Sequence, residues 1–157
     1  MKKMFLAGPF KALVSKETQV MSEAHIAQFS DIIDHFEQQN WSVHCAHKRE
    51  SWGREFMTPA QCTKIDYDEI AKCDYFVAFP GAPASPGTHI ELGWASAMKK
   101  PMILLLEEGE EYAYLVQGLG EISTVKELRY NKAKGVDVKQ VEALIEELES
   151  QRHAEAV

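Results

Sequence analysis

YFVAFPGAPASPGTHIELGWASAMKKPMILLL, residues 75–106, holds the outline of the fold. Residues 75–79 are an apolar, aromatic run of buried-strand length, and Pro80-Gly81 stops it. A loop dense in Gly and Pro follows, and a helix is expected from 88 to about 98, with Pro101 behind it. Residues 102–106 then form a second unbroken apolar run, the kind buried on both faces of a parallel sheet. Strand, loop, helix and strand in this order make a right-handed crossover unit. One acid, Glu91, stands just inside the expected helix.

The same alternation extends in both directions. Residues 4–7 are a short strand ended by Gly8-Pro9. Ile26, Phe29, Ile32, Ile33 and Phe36 recur at helical spacing and predict an amphipathic helix over 22–39. A second strand is expected at 41–44, then a polar segment at 47–56. Thr58-Pro59-Ala60-Gln61 spells a helix start, with an N-cap, a Pro at the first helical position and a capping-box Gln. That helix should run to about 72. Downstream come an acidic loop at 107–111, a short helix at 112–116 and a fifth strand at 122–125. A closing helix over 137–151 presents Val141, Leu144, Ile145 and Leu148 on one face. The result is one α/β domain over 1–157, an open parallel sheet of about five strands with helices on both faces. Such sheets bind ligands beyond the carboxyl ends of their strands, which singles out the loops at 8–16, 44–58 and 80–88.

Composition narrows the class. A chain of 157 residues that is 45% hydrophobic can bury about two-thirds of its unfolded surface. A formal charge of −7 argues against a nucleic-acid polymer as partner, though not against a small nucleotide. The opening MKKMFLAGPF imitates a signal peptide, but its apolar piece is too short, and no run is long enough to cross a bilayer. Cys45, Cys62 and Cys73 fit no zinc spacing and suit reduced thiols in a cytoplasm. His44, Cys45 and His47 have no second ligand pair, so no metal is expected, and no cofactor. Trp52 and Arg54 either close over a ligand or pack at an interface. Trp94, Met98 and Met102 read as core.

On the residues alone Glu91 reads first as a helix cap. Thr88-His89-Ile90-Glu91 fits a capping box, in which the glutamate returns to the backbone N–H of the cap. A helix N-terminus also welcomes negative charge and favours the ionised form of a carboxylate. Of the neighbouring acids, Asp74 opens a strand and reads as structural, Asp68 points away, and Asp66 shares a helical face with Ile70.

FLAGPF near the start, Asp66, Ile70 and Asp74 in the middle, and GTHIELGWASAMKKP together resemble the nucleoside 2-deoxyribosyltransferase family. The resemblance implies a flavodoxin-like or Rossmann-like sheet. It also implies a homo-oligomer whose pocket is completed by a neighbouring subunit. It carries the nucleophile onto Glu91 and gives Asp66 the task of assisting and orienting the departing base. The chemistry suits a carboxylate, which can trap an oxocarbenium-like centre as a glycosyl ester and divide one hard displacement into two. With the resemblance counted, Glu91 is read as the nucleophile.

One departure bears on substrate. Deoxyribosyltransferases carry an aspartate six residues before the nucleophile, where this chain has Ser85. A serine there resembles the branch that hydrolyses nucleoside 5′-monophosphates, since a hydroxyl can donate to a phosphate that an aspartate would repel. GPFK resembles the cytidylate hydrolases, which implies Phe10 stacked on the base and Lys11 near the base or sugar-phosphate. Gly8, Gly87 and Thr88 complete the expected binding set, with Gly87 allowing close backbone approach to ligand and Gly93 to a packed helix. The expected activity is N-glycosidic hydrolysis of a pyrimidine nucleoside 5′-monophosphate. The alternatives are base exchange between nucleosides and a non-catalytic nucleotide sensor in which Glu91 is only a cap.

Overall fold

Successive residues of β1 (Lys3–Ala7) enter two different cores. Met4 and Leu6 meet one set of helices and Phe5 and Ala7 another, because side chains alternate across a strand. The computed structural model describes residues 1–156. Among them β2 (Ser42–His44), β3 (Tyr75–Ala78), β4 (Met102–Glu107) and β5 (Val125–Tyr130) join β1 in one sheet. The spatial order is β2-β1-β3-β4-β5, and every adjacent pair is parallel. Chain direction across the sheet reverses between β1 and β3, where open sheets of this order form their binding crevice.

Six helices accompany the strands among the described residues: α1 (Glu23–Glu37), α2 (Ala46–Arg49), α3 (Pro59–Lys72), α4 (Pro86–Ala97), α5 (Tyr114–Gln117) and α6 (Val138–Ala156). On one face Phe29, Ile32, Ile33 and Phe36 of α1 and Val141, Ile145 and Leu148 of α6 cover Leu6, Val77, Ile103 and Leu105. On the other Ile70 of α3, Leu92 and Ala95 of α4 and Val116 of α5 cover Phe5, Phe76, Leu104 and Leu106. Burial on both faces explains why β3 and β4 are continuously apolar. At the start of α3 the Gln61 amide donates to Thr58 Oγ1 at 3.3 Å and the Thr58 amide to Gln61 Oε1 at 3.1 Å. That is the capping box its sequence spells.

Three expectations change. The fifth strand spans Val125–Tyr130 rather than 122–125, because its sequence VKELRY alternates as a half-buried edge strand and lacks an apolar run. The polar segment at 47–56 holds part of α2 and a short 3-10 turn at Ser51–Gly53, folded around the buried carboxylate of Glu50. Most consequential, α4 begins at Pro86 with Ser85 as its N-cap residue. Thr88 therefore lies inside the helix, with its hydroxyl donating to Ser85 Oγ at 3.1 Å.

Candidate active site

The shift in the start of α4 removes the capping-box reading of Glu91. No acid occupies the first turn, and Glu91 is the sixth residue from Pro86. It is also too deep in the helix to draw on the N-terminal dipole, which fades within the first turn. Its surroundings act the other way: burial, followed by the negative charge of Asp66, pushes its carboxyl up to about 8, and Arg49 opposes them. The expectation that the helix end keeps Glu91 ionised is thereby corrected.

Asp66 lies on α3, and its Oδ1 accepts a 2.6 Å hydrogen bond from Arg49 Nη1. Arg49 ends α2 and is anchored twice more, to Glu50 Oε2 at 3.0 Å and to His44 Nε2 at 2.9 Å. An arginine only donates, so His44 Nε2 accepts and its ring proton sits on Nδ1, 4.0 Å from Glu69 Oε2. Glu50 is buried and also accepts the Met57 amide at 2.8 Å, which fixes the whole segment. Arg49 had no signal in the linear sequence; only folding brings a basic residue of α2 against an acid of α3. Of the other acids, Asp74 Oδ2 accepts the Lys3 amide at 2.8 Å, and Asp68 pairs with Lys64 one turn away on α3.

The loop after β1 is held from beneath. His47 donates from Nε2 to the Pro9 carbonyl at 2.8 Å and lies between the rings of Phe10 and Phe29, at 4.5 and 4.1 Å. Burial lowers this imidazole to about 4, so it is a neutral strut. The Cys45 thiol lies 3.4 Å from His47 Nδ1 and is pushed up to about 12 by burial, which makes it an unreactive core group. Phe10 also meets Phe56 at 5.2 Å, and Lys11 Nζ hangs over Phe56 at 5.6 Å. Phe56 is thus an exposed aromatic of this loop cluster that sequence reading missed. Trp52 packs against the α1-side core instead of covering a ligand, and Arg54 is exposed.

Gly8 is buried, and a Cβ there would sit 2.8 Å from Phe29 Cζ. Phe29 is wedged between His47 and Phe79 and has little room to yield. Gly8→Ala is therefore expected to destabilise the fold by about 1–3 kcal/mol, read as a lower urea midpoint at unchanged slope. A loss below about 0.5 kcal/mol would show that the ring moves aside freely. Gly87 is exposed with open space where a Cβ would be, so the backbone at the start of α4 is bare. Gly93 is equally open: among the described residues nothing lies within 4 Å of an added Cβ, contrary to the expectation of a packed helix there.

At the N-terminus of α4 Pro86 has no amide hydrogen, no side chain caps the helix, and Ser85 Oγ accepts from Thr88 without donating within the chain. The amides of Gly87 and Thr88 receive no side-chain cap; Gly87 is exposed and Thr88 buried, one turn before Glu91. His89 braces the corner by donating from Nδ1 to the Ser85 carbonyl at 2.7 Å. A cavity of about 550 Å³ opens elsewhere, on the α1 side of the sheet ends, between Phe79, Leu105, Tyr130 and Lys132. Neither Glu91 nor Asp66 lines it.

Comparison with known proteins identifies the family and the fold. The sequence model of the nucleoside 2-deoxyribosyltransferase family matches residues 4–149. The chain belongs to that family. The structure of the CMP N-glycosidase BcmB from Clostridium botulinum is similar, at 41% identity and TM-score 0.64, over 90% of this chain and 99% of that one. The solution structure of BlsM is 49% identical with TM-score 0.73, over 88% of this chain and 83% of the other. A 2-deoxyribosyltransferase from Bacillus psychrosaccharolyticus, 20% identical with TM-score 0.58 over 89% and 90% of the two chains, shares the fold. No curated protein sequence matches the chain. No helix among the described residues is long and apolar enough to cross a membrane.

Proposed function

We propose that this family member hydrolyses the N-glycosidic bond of a nucleoside 5′-monophosphate, with CMP or a similar pyrimidine nucleotide as substrate. The products are free base and ribose or deoxyribose 5-phosphate. Glu91 attacks the anomeric carbon to form a glycosyl ester, and Asp66 attends the departing base. Similarity to a CMP N-glycosidase over nearly the whole chain supports the reaction class. The observation that carries the phosphate is the start of α4. Ser85 and the uncapped amides of Gly87 and Thr88 form a cradle of donors suited to an anion. Gly87 and Glu91 are four residues apart on one helical face, roughly 6 Å along the axis. That separation matches the span from a 5′-phosphate to the anomeric carbon of the same sugar. Phe10 and Lys11, on the facing loop, are assigned to the base and the sugar-phosphate.

A second copy of the chain closes the site in this reading. Tyr114 and Leu115 of α5 are 89% and 87% exposed, and Ile90, Tyr67 and Ile122 join them as large exposed apolar residues on the α3, α4 and α5 side. The closing helix has no such face, because Val141, Ile145 and Leu148 are spent on the core. Free thiols at Cys45, Cys62 and Cys73 are in keeping with a cytoplasmic location in this reading.

The deciding assay incubates the protein with CMP, dCMP and cytidine, separately and with a second base, and separates the products by chromatography. Cytosine and the sugar 5-phosphate should appear from the monophosphates in equal amounts. Cytosine replaced by the added base would establish transfer instead, and binding without release would establish a sensor.

A further inference from the structure

Phe56 is 46% exposed, yet the segment that carries it is tied down at every turn. Ser51 and Trp52, neither a glycine, hold φ at 52° and 59°, and Gly53 follows at 109°. Backbone of this kind persists only where its surroundings over-determine it, and it gathers at ligand clamps. Glu50, buried within the segment, accepts the Met57 amide at 2.8 Å through Oε1 and Arg49 Nη2 at 3.0 Å through Oε2. The Trp52 carbonyl accepts the Met21 amide at 2.9 Å, and a Cβ on Gly53 would strike Val14 at 2.8 Å. The bend thus holds the residue before Met57 out of the core.

The place it is held in is the loop after β1. The Phe56 ring lies 5.2 Å from that of Phe10 and is tilted to it by 48°, so the two faces make a corner. Phe10 is backed by His47 at 4.5 Å and cannot fold away beneath it. Lys11 Nζ lies 5.6 Å from the centre of the Phe56 ring, a weak contact at an exposed face that a flat ligand can replace. Three hydrogen bonds run in series from the Met57 amide through Glu50 and Arg49 to Asp66. The exposed ring and the acid on α3 are therefore parts of one frame.

We propose that Phe56 is a further base-binding residue, forming with Phe10 an aromatic corner on which the pyrimidine of the nucleotide stacks. The identity of the ligand rests on the N-glycosidase reading above. An aromatic face offers a heterocycle apolar area and π contact without competing for its hydrogen-bonding edge. Stacking of this kind ignores which groups that edge carries. It predicts a loss shared by cytosine and uracil nucleotides when the ring is removed, and no loss for a ligand that has no base.

The test measures Kd by calorimetry for CMP, UMP and ribose 5-phosphate with Phe56, Phe56→Ala, Phe56→Leu and Phe56→Trp, each in a Glu91→Gln background so that no ligand is consumed. Phe56→Ala should weaken CMP and UMP alike, by about 5- to 100-fold, and leave ribose 5-phosphate within about twofold. Phe56→Trp should bind both nucleotides within about threefold of the parent, and Phe56→Leu should recover only part of the loss. An unchanged CMP Kd in Phe56→Ala overturns the proposal. So does an equal loss for all three ligands, which would make the ring a support for the loop, or full recovery with leucine, which would make it only bulk. Failure of the parent to bind CMP overturns it as well. If Phe56→Ala does not fold, Phe56→Leu and Phe56→Trp carry the same decision. Product chromatography on the same Phe56 variants with Glu91 intact reads turnover separately. A base-specific loss of binding in a protein that releases no cytosine would retain the aromatic corner and reject the glycosidase reading.

Discussion

Glu91→Gln should lose at least about a thousandfold in base release from CMP while folding as the wild type does. The amide keeps the shape of the side chain but cannot form the glycosyl ester. Little else in α4 depends on the carboxylate. The helix is begun by Pro86, its corner is braced by His89 on Ser85, and the Thr88 hydroxyl is satisfied by Ser85. A capping glutamate would have behaved differently, costing about 1 kcal/mol on removal and leaving chemistry untouched. Stability supplies a separate signature. The folded-state value of Glu91, about 8, lies above its unfolded value of 4.5, so the native protein binds this proton more tightly than the unfolded chain. The resulting stabilisation is complete below the unfolded value and is lost as pH rises through the folded one. Wild-type melting temperature should therefore decline relative to Glu91→Gln between pH 5 and pH 8. Thermal scans at the two ends check this, and product chromatography checks the rate. Undiminished cytosine release from the variant would remove Glu91 from the chemistry.

The strands and long helices were legible because their signals are local. The apolar spacing of α1, Thr58 before Pro59 and the runs of β3 and β4 follow from helical periodicity, cap chemistry and apolar continuity. Two signals misled. Thr88-x-x-Glu91 has the letters of a capping box, but Pro86 satisfies the first helical position two residues earlier and draws the start of α4 back with it. The edge strand β5 carries Lys126, Glu127 and Arg129, so its alternation is hidden within a charged stretch. At the site, Glu91 and Asp66 were named from a family likeness rather than from any local pattern, and the fold places them on α4 and α3. Arg49 was invisible for a different reason. Its importance comes from meeting Asp66 seventeen residues away and His44 on a neighbouring strand, a convergence no periodicity records. His47 was likewise legible only as a histidine. Its role as a neutral strut beneath Pro9 depends on the rings above and below it.

Ser85→Asp should reverse the preference between phosphorylated and unphosphorylated substrates. At the N-cap position an aspartate is as favourable as serine, and its charge suits the helix end by about 0.3–1 kcal/mol, so the fold should be unharmed or slightly firmer. The Thr88 hydroxyl that now donates to Ser85 Oγ can donate to the new carboxylate equally well. The 5′-phosphate fares otherwise. A unit negative charge about 4 Å from another costs on the order of 4 kcal/mol at the effective dielectric of a protein surface. Solvent at this half-exposed position screens part of that, and a loss of about 100-fold in kcat/KM for CMP is the expected remainder. Cytidine brings no phosphate, and its 5′-hydroxyl can donate to the carboxylate, so its kcat/KM should hold or rise. The ratio of the two substrates, measured side by side, is free of any general loss of activity from misfolding. An unchanged ratio would mean the phosphate lies elsewhere, and the donors at the start of α4 would need another ligand. A ratio shifted a hundredfold or more would fix the sugar's orientation along α4, with the phosphate at its first turn and the anomeric carbon over Glu91.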